Sequence, residues 1–145
     1  MSLVVPNAGK VVLLKYLVNK IAQNGGAPSA SGDRVLCLFT NDITPADANV
    51  FDDYQEPSPG TGYTRVNLSG IVWTTTEDEI GVCAAIYDSY AEFNFTGAVT
   101  LYGYYVINQD EQLLWAEKFT SGAIIVPAGG GQVLIKPKLE LTNIT

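Results

Sequence analysis

The 145 residues contain no histidine, so the side chains that could do chemistry are two cysteines, fifteen acids and a set of tyrosines. Without imidazole, a single chain cannot build Ser-His-Asp, Cys-His or His-metal schemes. Cys37 and Cys83 each sit in an apolar run, which predicts buried free thiols. Whether they are bonded depends on geometry that spacing does not give. Asp42, Asp47, Asp52 and Asp53 are near enough in sequence to raise calcium. They lack the ordered spacing and central glycine of a calcium loop, so solvated acids are expected. Glu77-Asp78-Glu79 reads as a solvated turn, and neither Glu77/Glu79 nor Glu92/Glu117 has a recognisable spacing for paired-carboxylate work. Gly129-Gly130-Gly131 lacks the Lys-Ser/Thr or following helix of a phosphate loop. No catalytic, cofactor or metal residue is therefore assigned, and an enzyme is not expected. Tyr102, Tyr104 and Trp115 are left as an aromatic group. Its first reading is core packing, and its second is a platform on which sugar rings stack.

The totals agree. Apolar residues make up 47% of the chain, enough for a core, while charged residues reach only 16% against roughly 25% in an average soluble protein. Such a surface suits a chain that covers part of itself with partners. The net charge of −7 opposes a nucleic-acid partner, which needs a basic stripe, and an anionic membrane surface. Met1–Pro6 has no basic start, and Lys10, Lys15 and Lys20 interrupt the apolar stretch that follows. The expectation is neither a signal peptide nor a membrane span, and a protein made in a reducing cytosol.

The elements that must position these residues are mainly strands. Leu101–Phe119 predicts a hairpin, with strands Leu101–Ile107 and Leu113–Phe119 around a polar tip at Asn108–Gln112. Alternation puts Leu113, Trp115, Glu117 and Phe119 on one face, expected inward, with Glu117 near an open end or beside a cation. Gly103 is expected to let an aromatic ring lie over the backbone, or to mark a bulge. Before the hairpin, Leu3–Val5 reads as an extended arm. Val11, Leu14, Leu17, Val18 and Ile21 recur at helical spacing, predicting a helix over Ala8–Gln23 that Asn24-Gly25 stops. Gly25–Asp33 is a flexible loop. Val35–Phe39 is a buried strand. Thr44-Pro45 predicts a short helix from Pro45 to Asp53, setting Val50 and Phe51 on the domain. Strands are expected at Tyr63–Leu68, at Ile71–Thr76 with Trp73 as a core anchor, at Gly81–Tyr87 and at Tyr90–Phe95. Glu92 should face away from Phe93 and Phe95. Ala123–Val126 is a short strand, and a last strand over Val133–Leu141 carries Pro137 at an edge or bulge.

Strands following strands give an all-β class: an antiparallel two-sheet sandwich, jelly-roll-like, with one N-terminal helix. The alternative is an immunoglobulin-like sandwich, although the Cys and Trp spacing does not support a true immunoglobulin domain. The domain reading is an arm, helix and loop over 1–32 and a β-sandwich over 33–145.

LFTNDITPADA, GYTRVNLSG followed by Trp73, LYGYYV, LLWAEKF and the closing GGGQVLIKPKLEL together resemble a group of small tailed-phage virion proteins. The resemblance spans most of Val35–Leu141. It implies a jelly-roll capsid decoration or cement protein, often trimeric, seated over junctions between major capsid subunits and resisting the pressure of packaged DNA. The expected partners are the major capsid protein and copies of itself, with neither nucleic acid nor membrane. The expected contacts are Val4, Val5, Val11 and Leu14, with the Gly25–Asp33 and Gln55–Gly62 loops ordering on assembly. The alternative is a tail-associated module that binds host glycans through Tyr102, Tyr104 or Trp115.

Overall fold

The computed structural model describes Lys10 and residues 13–14, 34–68, 73–77 and 82–141. Eleven strands appear among them: β1 (Val35–Phe39), β2 (Val66–Asn67), β3 (Trp73–Glu77), β4 (Cys83–Tyr87), β5 (Ala91–Phe95), β6 (Val99–Leu101), β7 (Gly103–Ile107), β8 (Leu113–Lys118), β9 (Ile124–Val126), β10 (Gly131–Ile135) and β11 (Lys138–Leu141). Every pairing is antiparallel. The class is the all-β sandwich that the strand pattern predicts.

The last eight strands pair in a nest: β7 with β8, β6 with β9, β5 with β10, and β4 with β11. This nested order is the pairing scheme of an eight-stranded jelly roll. The added strands sit outside the nest, with β3 beside β4 and with β1 between β2 and β7.

The chain clusters into two compact units, 1–30 with 69–90 and 136–145, and 31–68 with 91–135. In the first, β4 is central, flanked by β3 and β11. Its Cys83, Ala85 and Tyr87 are buried, and Trp73 meets Tyr87 edge-on at 5.3 Å, so Trp73 anchors the core as predicted. Of the predicted helix over Ala8–Gln23, Lys10, Leu13 and Leu14 are described and carry helical backbone; the rest lies outside the described residues. The Leu3–Val5 arm, the Gly25–Asp33 loop and the expected boundary at 32 also lie outside them.

In the second unit the sheet runs β2-β1-β7-β8. All five residues of β7 are buried, so both faces of this central strand are covered, and the strand reads as a nearly unbroken apolar run. One face carries Cys37, Phe39, Tyr105 and Ile107, with Tyr54 packed among them. On β5 and β10, Phe93, Phe95, Val133 and Ile135 turn inward, while Glu92 is exposed on the other face, as alternation predicts.

Several expectations are corrected. The segment Pro45–Asp53 is not a helix; it holds only a 3-10 turn at Phe51–Asp53. Asn49 Oδ1 accepts the Ala46 N–H at 2.7 Å and Asp53 Oδ2 accepts the Val50 N–H at 2.8 Å. Short polar side chains here take the backbone donors locally, which competes with helix formation. Phe51 still packs on the domain, but Val50 is exposed. The predicted strand Tyr63–Leu68 shrinks to β2.

Leu101–Ile107 is not one strand. Leu101 pairs with Ile124, whereas Gly103 pairs with Phe39 and Lys118, so the chain changes sheets at Tyr102. Likewise Val133–Leu141 divides at Lys136-Pro137, where the partner changes from β5 to β4. Pro137 donates no hydrogen bond, and its carbonyl accepts the Tyr87 N–H at 3.0 Å.

The inward face predicted for the second hairpin strand also changes. A bulge lies opposite Val106 and Ile107, which pair with Trp115 and Leu113. The extra residue, Leu114, reverses the alternation. Leu113 and Ala116 pack on the Cys37–Tyr105 cluster, while Trp115 and Glu117 share the opposite face. Glu117 finds a hydroxyl rather than a cation, accepting from Tyr104 at 2.7 Å.

Candidate functional site

The best-built polar group lies where the segment after β1 returns across the sheet of the second unit. Thr40 begins the return, its N–H donating to the Gln55 carbonyl at 2.7 Å. Asn41 then fastens both ends: its Nδ2 donates to the Asp53 carbonyl at 2.9 Å, and its Oδ1 accepts the Gln55 N–H at 2.9 Å. Asn49 Oδ1 also accepts the Tyr54 hydroxyl at 3.1 Å, which sets Tyr54 in a stack on Tyr105 with centroids 5.0 Å apart.

Beyond Tyr54 the chain supplies Glu56, turns through Pro59–Thr61, and leads into β2 past Tyr63 and Arg65. These two residues, two apart, both reach Glu56. Arg65 forks onto Glu56, with Nη2–Oε1 at 2.6 Å and Nε–Oε2 at 3.1 Å. Its guanidinium also lies 5.6 Å from the Phe51 ring centre and 3.9 Å from Glu111. The Tyr63 ring stacks on Phe93 and Phe95, and its hydroxyl accepts the Leu38 N–H at 3.2 Å. The buried Tyr105 hydroxyl completes the group beside Glu56 and Cys37, without a hydrogen bond of good geometry.

The electrostatics of this group oppose reactivity. Burial first, and the Glu56 carboxylate second, push the Cys37 thiol up to about 12. A thiol in that range is not a nucleophile near neutrality. Burial also raises Tyr63 and Tyr105, with Cys37 adding to both. Burial would raise Glu56 too, but the Arg65 fork and Tyr63 outweigh it and hold the carboxyl below its ordinary value. The Glu56 fork in turn raises Arg65. Every member is thus held in its usual charge state, and the cluster fastens the return segment to the sheet. The Gln55–Gly62 loop, expected to order on assembly, is held within the single chain, and Thr61 accepts the Thr96 N–H at 2.7 Å.

The residues singled out from sequence are dispersed. Cys37 and Cys83 are both buried and free. Leu14 is fully buried; Val4, Val5 and Val11 lie outside the described residues. Tyr104 is only 4% exposed, and Tyr102 and Trp115 are half-buried on different faces, Tyr102 packing on the Cys37–Tyr105 cluster. The three do not form an open stacking platform. Asp53 is engaged by Val50, and Asp42 pairs with Lys118. The triple glycine forms a turn: Gly130, at φ 83°, donates to the Pro127 carbonyl at 2.8 Å. A β-carbon there would fall 2.1 Å from the Phe95 carbonyl oxygen. Sequence reading missed Glu56, Tyr63, Arg65 and Tyr105 as a group. Its one local signal is the Tyr63/Arg65 spacing, since the return path that brings in Glu56 is not written in any short motif.

No protein-family model, curated protein or solved structure matches this chain.

Proposed function

We propose that the chain is a structural virion protein that binds the outside of a tailed-phage capsid lattice and stabilises it. Its partners are the major capsid protein and other copies of itself, arranged as trimers, and it reaches the capsid surface after synthesis in the host cytoplasm. The observation that carries this reading is Ile125, 76% exposed on β9, a strand of a two-stranded sheet. Leu134 on β10, another two-stranded sheet, is 47% exposed. Exposed strand edges are usually protected by charge, proline or a covering element, and outward apolar side chains on such strands favour association. Weak contacts of this kind sum when many copies bind one lattice.

The motifs behind the phage resemblance support the same reading through packing. LFTNDITPADA leaves β1 and becomes the return segment, and GYTRVNLSG supplies Tyr63 and Arg65 to the fastening cluster. Rigidity of this sort suits a protein that must hold its shape under load.

The test is a pair of electron-microscopy maps of virions with and without the protein. Added density over junctions between capsid subunits is the expected result, and density confined to the tail overturns the assignment. Removing Met1–Asn7 should lower virion occupancy while the circular dichroism of the purified domain stays unchanged.

A further inference from the structure

A groove runs beside β8. Among the described residues, β8 is the terminal strand of its sheet. Leu113, Leu114, Trp115 and Ala116 together line a groove of about 360 Å³, faced by the segment Pro45–Asn49. Neighbouring side chains of a strand point to opposite faces. Four consecutive residues line one groove when it follows the outer edge of the strand. An adjoining groove of about 490 Å³ shares Asn49 and Leu113 and adds Phe51, Asp52 and Glu111. The facing wall is preformed, because Asn49 already binds Ala46 and Tyr54.

The charges choose the occupant. Asp47, Asp52 and Glu111 are exposed around the two grooves. Among the described residues, the cations beside the grooves are engaged, Arg65 by Glu56 and Glu111 and Lys118 by Asp42. A second copy docked edge to edge about a two-fold axis would bring the same acids together, at a cost in like-charge repulsion. We infer that the outer edge of β8 and its two grooves receive an extended segment of a partner protein, with apolar side chains alternating with lysine or arginine. The partner's backbone adds to β8, its apolar side chains enter beside Leu113 and Trp115, and its cations meet Asp47 and Asp52. This surface is independent of Ile125 and of the virion assignment.

The probe is a capped peptide of alternating valine and lysine, long enough to span β8, titrated into the isotopically labelled full chain. Saturable amide shifts along Leu113–Lys118 and Ala46–Asp53 are expected. The double variant Asp47→Asn, Asp52→Asn should weaken binding about tenfold, a loss of about 1.4 kcal/mol. N-methylation of the peptide along one edge should weaken it at least as much, because it removes backbone donors and leaves charge alone. Equal binding of a valine–glutamate peptide, unchanged affinity after N-methylation, shifts confined to other strands, or no saturable shift at about 1 mM peptide would each overturn the inference.

Discussion

The Phe39 ring lies against the α-carbon of Gly103, its cross-strand partner, at the point where the chain passes from β6 into β7. A β-carbon at 103 would sit 2.5 Å from Phe39 Cζ and 2.2 Å from the Glu117 carbonyl oxygen. Gly103→Ala should therefore destabilise the protein by roughly 1–3 kcal/mol, the usual range for overpacking. Shrinking the ring with Phe39→Leu should not rescue it, since the nearer obstacle is backbone. Urea midpoints of the single and double variants check both statements.

Glu56 carries a pH signature. Its folded-state pKa lies below its ordinary value of 4.5. A depressed carboxyl contributes stability that is present above the unfolded pKa and is lost as pH falls through the folded one. Wild-type stability should thus drop on the acid side of about 4.5, and Glu56→Gln should lack that part of the slope. Denaturation midpoints taken across the acid range decide it, and parallel curves would count against the assignment.

Arg65→Met should cost about 1–2 kcal/mol near neutral pH, between the worth of a surface pair and that of a buried one, because Glu56 loses its fork and remains largely covered. A double-mutant cycle with Glu56→Gln should return a favourable coupling for the pair.

Asn49→Ala removes the acceptor shared by Ala46 and Tyr54. At about 1 kcal/mol for each lost hydrogen bond, roughly 2 kcal/mol of stability should go. Amide exchange should quicken first at Ala46 and across Val50–Tyr54, while β1 and β7 stay protected.

Cys37 should resist alkylation in the folded protein at pH 7 to 9, because burial holds its pKa near 12. Peptide mapping after iodoacetamide treatment, with and without denaturant, reads this directly. Modification of Cys37 in the native state would show that the cluster opens.

Much of the strand content was legible because period-two alternation and turn residues are local signals. β1, β4, β5 and the turn between β7 and β8 stand close to where their residues predict them, and Gly103 meets an aromatic ring as expected. Pro45–Asp53 was misread because Thr-Pro is a helix start only when the donors that follow are left to the backbone. Asn49 and Asp53 claim them instead.

Residue types and their local patterning by themselves determined an all-β, acidic chain without imidazole chemistry, since they set propensity, charge and functional groups. Tertiary structure alone decided where strands change sheets, which side of β8 faces the core, and that Glu56, Tyr63, Arg65, Tyr105 and Cys37 meet. Those outcomes depend on a one-residue bulge at Leu114, on long-range pairing, and on a return path closed by Asn41. Each couples residues far apart along the chain, where no local period or spacing records the contact.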